Sequence, residues 1–303
     1  MNSANSKKGR PLAAFDELKE PYLPLLRRIR RRRAVVALLA VVAYLLLLAL
    51  GLPLYLEWMG EVVISREGMP PVLLALSILL ILVIHFFAYA AAMSPVYLAL
   101  TAECDPEKYL VLQSAFVRTE PQRSASFSDG LFFLGRYREA AVAMDSLSPS
   151  LAKRNEALIL YNRARCAFML GDLAALSAAR AALPPACESH LAKGGKRAAH
   201  CRIMLAEAAL MQALSDTEAE DAHIRRLAAE LPKTDPAQIN LGFFCFLHGL
   251  AAYRLQDTED RIYYLRRTCE IMPKTAIAAE AARYLRDTDG GGGASLADLS
   301  EKN

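Results

Sequence analysis

Four side chains able to ligate a metal fall within one short stretch. They are Cys187 and His190, spaced Cys-x2-His, and the adjacent pair His200-Cys201. A tetrahedral zinc site would need all four to converge on one ion. Neighbouring residues on a helix point about 100° apart, so His200 and Cys201 are poorly placed to share it. The stretch reads instead as a polar connection between helices, and no metal is expected. Other chemical signatures are missing. The sequence has no HExxH, GxSxG or GxxxxGK[ST]. Gly290 to Gly293 could suggest a phosphate cradle, but neither a Lys-Ser/Thr pair nor a following helix accompanies them. His223 and His248 have no evident catalytic partner. The chain therefore reads as a non-enzyme with no catalytic residue and no cofactor.

His85 is a different case, because it sits inside a long apolar run. An intramembrane histidine can mark a proton relay or a ligand. With no Asp or Glu beside it, His85 reads as a neutral residue that hydrogen-bonds across a hairpin, with Tyr44 as a candidate partner, or to another subunit.

Arg27, Arg28, Arg30, Arg31, Arg32 and Arg33 abut a stretch without charge, Ala34 to Leu56. At about 1.5 Å per residue these 23 residues span about 34 Å, enough to cross a hydrocarbon core of about 30 Å. The apolar run is too long for a signal-peptide core and is followed by no small-x-small site, so it reads as a retained anchor. Val72 to Ser94 makes a second span, with Pro71 at its start and Pro95 at its exit. The loop between them holds one positive charge, Arg66. The positive-inside rule then places the arginines in the cytoplasm and the loop outside. The expected location is the plasma membrane, of the bacterial inner-membrane kind, crossed twice with both termini cytoplasmic. The arginines can also take up anionic lipid headgroups, and the spans offer a surface for pairing with a second copy.

Charge bookkeeping excludes one class of function. The formal net charge is +4, but residues 1–33 alone carry +7, which leaves −3 for the remainder. The basicity belongs to the arm, so nucleic acid is not an expected partner of the C-terminal part. The six cysteines include no CxxC pair and sit among apolar helical residues, as buried thiols in a reducing compartment would.

From Leu98 onward the apolar pattern is helical, and it repeats. Asp105-Pro106-Glu107 reads as a helix start, and Thr119 to Ser128 as a polar connector. Leu134-Gly135-Arg136-Tyr137 recurs 36 residues later as Leu170-Gly171-Asp172-Leu173. Leu214-Ser215-Asp216 and Leu255-Gln256-Asp257 each run 18 residues to a proline, Pro232 and Pro273. Each unit thus reads as helix, tight turn, helix and proline stop. Such pairs bury their apolar faces only by stacking. The expected domains are a basic arm 1–33, a first span 34–56, an external loop 57–71, a second span 72–94, a helical array 98–287 and a Gly-rich tail 288–303.

Tyr161 to Asp172, Gly249 to Leu255 and Tyr137 to Ala140 resemble the tetratricopeptide repeat family, over roughly residues 125–273. A small residue midway along the first helix, an LGD-type turn, an Ala early in the second helix and a closing proline carry the likeness. Arg163, Glu207 and His248 depart from it by standing where that family usually has Leu, and Ala186 to Lys196 interrupts the period. The expected fold is all-α, two transmembrane helices followed by a cytoplasmic α-solenoid, the last being what the resemblance implies. It also implies a protein or peptide partner held on the concave surface of the first helices. Carried over by register, the groove residues are Phe132, Tyr161, Arg165, Phe168, Phe243, Phe246, Tyr253 and Arg254. The function expected is that of a membrane-anchored scaffold. The alternative is an accessory subunit of a transport or secretion complex, acting through the hairpin.

Overall fold

The apolar periodicity of 3.6 is realised as helix throughout. In the computed structural model, residues 17–46, 49, 70–117, 124–145, 147–235 and 237–289 are described, and among these there is no strand. The protein is all-α. The sequence divides into two units, Glu20–Tyr97 and the remainder, which is essentially Leu98 onward.

In the first unit a 3-10 turn, Glu17–Tyr22, leads into helix α1, Leu23–Leu46. The turn begins just before the unit boundary, and Pro24 falls in the first turn of α1, where a missing N–H costs nothing. The arginine run and the start of the apolar stretch are therefore one continuous helix. Helix α2, Pro70–Thr101, supplies the second apolar stretch, and the unit boundary lies within it. Ser77–Thr101 is long and apolar enough to cross a membrane. Its surface is unusual for water: Phe86 and Phe87 are each 66% exposed. Leu38 and Leu39 on α1 are similarly open, at 62% and 61%. The Arg33 guanidinium lies 5.1 Å from the centre of the Tyr89 ring. Two expectations need correction. Pro95 does not end the second helix, which continues to Thr101. His85 does not bond Tyr44: its Nδ1 is buried and has no hydrogen-bond partner among the described residues, while Tyr44 is half exposed. The external loop, the end of the first span, the first residues of the arm and the Gly-rich tail lie outside the described residues.

The second unit is a chain-order stack of helices. Asp105 caps α3, Pro106–Val117, by accepting from the Lys108 amide at 2.9 Å. Four helix pairs follow. They are α4 with α5, Ser124–Phe133 and Tyr137–Asp145, and α7 with α8, Glu156–Leu170 and Leu173–Lys193. Next come α9 with α10, Gly195–Ser215 and Asp221–Glu230, and α11 with α12, Gln238–Arg254 and Thr258–Ile271. A short helix α6, Pro149–Arg154, links the first two pairs, and α13, Ala276–Asp289, closes the stack. The second helix of each pair packs on the first helix of the next. The first helices, α4, α7, α9 and α11, also pack on one another in order.

The turns explain the pairing. After α7 the chain turns through Gly171, φ +68°, and Asp172 then caps α8 by accepting from the Ala175 amide at 2.9 Å. After α11 the same task falls to Gln256, φ +58°, and Asp257 accepts from the Asp260 amide at 3.1 Å. A side chain at positive φ is strained, so this turn is held by the packing around it. Elsewhere the repeat pattern misjudged the boundaries. Pro184 and Pro185 do not stop α8, which runs on to Lys193, so Ala186 to Lys196 is mostly helix rather than a loop. Leu176, Ala179, Leu183 and Cys187 keep one buried stripe across both prolines, whose rings face solvent. Burial of that stripe outweighs the hydrogen bonds lost at the prolines. Similarly, α4 begins at Ser124, inside the expected polar connector.

Candidate functional site

Arg165 is the centre around which the expected binding residues gather. It projects from α7, and its guanidinium carbon lies 4.0 Å from the Phe132 ring centre and 4.6 Å from that of Phe243. Phe133 and Tyr161 complete the cage at 4.9 and 5.2 Å. A desolvated guanidinium over aromatic faces gains about 2 kcal/mol or more per favourable contact geometry. The rings also pack on each other, with Phe132 and Phe243 edge to face at 5.6 Å. Phe243 in turn neighbours Phe246 at 6.3 Å. Phe132 belongs to the first helix pair and Phe243 to the fourth. The row of first helices therefore bends until its two ends meet.

Polar groups complete this interior. Asp129 Oδ1 is 3.9 Å from the Arg165 guanidinium and accepts from the Asn162 amide at 3.1 Å. The Tyr161 hydroxyl donates to the Glu207 carboxylate on α9. Burial pushes the Glu207 carboxyl up to about 7, against the pull of Arg165 and the Tyr161 hydrogen bond. Burial also raises Asp129, opposed by Arg165, and raises the Tyr161 phenol strongly. Burial dominates each shift because the charged forms lose water here.

A carboxyl near 7 has the right acidity for general acid–base catalysis. Glu207, however, is 1% exposed, and the clefts of about 710, 450 and 350 Å³ are lined by other residues. The geometry is that of an internal bolt, holding α4, α7, α9 and α11 together through one cation, two carboxyls and four rings.

The eight sequence-derived groove residues thus fall into two groups. Phe132, Tyr161, Arg165, Phe168, Phe243 and Phe246 are buried. Tyr253 and Arg254 are half-buried on α11. Tyr253 meets Tyr284 of α13 edge to face at 5.1 Å, and Arg254 donates to the Thr217 carbonyl. Asp129 and Asn162 were not anticipated. Their only signal is a polar residue on an apolar helix, which is uninformative without the fold. Glu207 was visible as a departure from Leu, and it proves to be the acceptor for Tyr161. His248, the parallel departure, stacks on Tyr264 at 4.8 Å. Arg163, the third, pairs with Asp145 at 2.5 Å on the surface. Among the described residues no three His, Cys, Asp or Glu side chains gather as a metal site. Cys187 and Cys201 are both buried, and their thiols contact each other. Compared with family models, with curated proteins and with solved structures, the chain matches none.

Proposed function

We propose that the chain is a membrane-anchored interaction protein without enzymatic activity, presenting a tetratricopeptide-like helical array to the cytosol from an N-in, C-in hairpin. The observation that carries this reading is the pairing of two unlike halves. One has helices whose large apolar side chains stand open, Phe86, Phe87, Leu38 and Leu39 among them. A surface of that kind is stable in lipid and a liability in water. The other is a stack of paired helices built around a rigid interior, the architecture that offers extended surfaces to partners. Because the deep aromatic residues are buried, the partner surface centres on Tyr253 and Arg254, the two groove residues that retain exposure. Arginine and tyrosine at such positions are effective anchors.

The test is crosslinking in intact membranes, followed by recovery of the bound protein. A specific partner captured by the native chain and lost on Tyr253→Ala with Arg254→Ala supports the reading. Capture that is unchanged in the double variant removes these residues from the interface. Labelling single cysteines placed in residues 57–69 from the outside of the cell tests the orientation, and labelling from the inside only would reverse it.

A second reading draws on His85, whose buried Nδ1 has no partner among the described residues. As an accessory subunit of a transport or secretion complex, the protein would offer that nitrogen to another membrane subunit. His85→Leu separates the two. Unchanged complex assembly and function would leave His85 as a packing residue only.

A further inference from the structure

A cleft of about 710 Å³ opens where α6 ends and α7, α8 and α9 meet. Its rim carries Lys153, Arg154, Lys196 and Arg197, all exposed, together with His190 and His200. Among the described residues none of the four cations forms an ion pair. Glu156 is the one carboxylate on the rim. With neutral histidines the cleft therefore carries +3 in a chain whose part beyond the arginine arm is net −3. Four like charges around one opening repel each other, and a bound polyanion relieves that repulsion.

The floor differs from the rim. Ala157, Leu158, Pro185, Ala186 and Met204 line it with apolar surface, and Cys201 contributes a buried thiol. The backbone adds to the positive field. Neither α7 nor α9 has a side-chain hydrogen bond capping its N-terminus, and Gly194, at the cap of α9, has no side chain to supply one. Unsatisfied amides at a helix start favour anions. These ends support the site that the cations and the cleft make.

We propose that this cleft binds a soluble organic diphosphate or triphosphate, with the phosphates held by Lys153, Arg154, Lys196 and Arg197 and the organic body on the apolar floor. Small-molecule sites commonly measure about 300–1,000 Å³, and a nucleoside diphosphate fits that range. The charge of such a ligand matches the cleft, and its two-part chemistry matches the division into rim and floor. His200 of the rim also bears on Asp129 of the Arg165 interior, but none of the four cations belongs to that interior, and the proposal stands independently of the partner surface at Tyr253.

The experiment is calorimetric titration of the full chain in detergent micelles with inorganic pyrophosphate and with ADP, at low ionic strength. Both are expected to bind one site. In Arg154→Ala with Arg197→Ala, affinity for both should fall at least tenfold, while the helical signal and melting temperature stay unchanged. Arg202→Ala, on the exposed face of the same α9 helix but outside the cleft, should bind as the native chain does. The proposal fails if neither probe binds, or if the double variant binds as tightly as the native chain. It also fails if a poly-glutamate peptide or phosphatidate vesicles bind the cleft while pyrophosphate and ADP do not.

Discussion

Arg165 and Glu207 show how a few residues can hold the whole array. Glu207 keeps its proton more firmly folded than unfolded, since burial raises it from 4.5 to about 7. A group with a raised folded pKa lends stability that is complete below its unfolded value and is lost as pH rises through the folded one. The window is therefore about pH 4.5 to 7, with stability falling as the solution becomes more alkaline. The shift corresponds to about 3 kcal/mol. Glu207→Gln keeps an acceptor for Tyr161 and removes the titration. Denaturant melts at pH 5 and pH 8 should show the native chain losing up to about 3 kcal/mol more than the variant over that range. Parallel curves would assign the proton elsewhere. Arg165→Met has a different expectation, because it leaves the buried Glu207 and the half-buried Asp129 without their cation. Breaking a buried charged set by removing one partner costs about 3–5 kcal/mol. The loss should be larger at pH 8 than at pH 5, where Glu207 can remain protonated.

At the scale of the element, the turns decide how the pairs fold back. Gly171 holds φ +68° at the end of α7. Gly171→Ala imposes a side chain on that conformation and should cost about 1–2 kcal/mol, read as a lower denaturation midpoint with an unchanged slope. The turn at Gly171 was legible in the sequence, because glycine before an aspartate cap has a local cause. The course of α8 was not. Prolines are strong local stop signals, but the buried stripe from Leu176 to Cys187 is a tertiary fact and overrides them. The helix start at Ser124 was missed for a related reason. Ser, Asp and Gly lower helix propensity locally, yet Ser128 is buried, its hydroxyl donating to the Ala140 carbonyl at 2.8 Å, and Gly130 permits close approach of Tyr109 and Leu110.

For the whole molecule, the consequence concerns where binding and stability separate. Phe243 is 1% exposed and contacts Phe132 from the opposite end of the stack. Phe243→Ala should cost about 3–5 kcal/mol and lower the melting temperature of the array as a unit. Tyr253→Ala with Arg254→Ala should leave most of that stability in place. A partner lost in both cases is informative only for the second pair of substitutions, where the array remains folded. Closure of the stack is further supported by Lys274, whose Nζ lies 2.6 Å from Asp105 Oδ2, joining the loop before α13 to the cap of α3.

The sequence by itself determined the all-α class, the helix pairing, the Gly171 and Asp172 turn and the two long apolar stretches behind the arginines. Each of these follows from local periodicity, turn chemistry or charge order, which read along the chain. Only the tertiary structure decided what the aromatic residues of the first helices do. Register places Phe132, Tyr161, Arg165 and Phe243 on one side of their helices, but it carries no information on how sharply successive pairs rotate. That rotation is set by side-chain volumes between α4, α7, α9 and α11, which close the interior on Arg165 and leave Tyr253 and Arg254 partly open. The basic cleft has the same origin. Lys153 and Arg154 lie some 43 residues from Lys196 and Arg197 in the sequence, and only the packing of α7, α8 and α9 brings the two pairs to one opening.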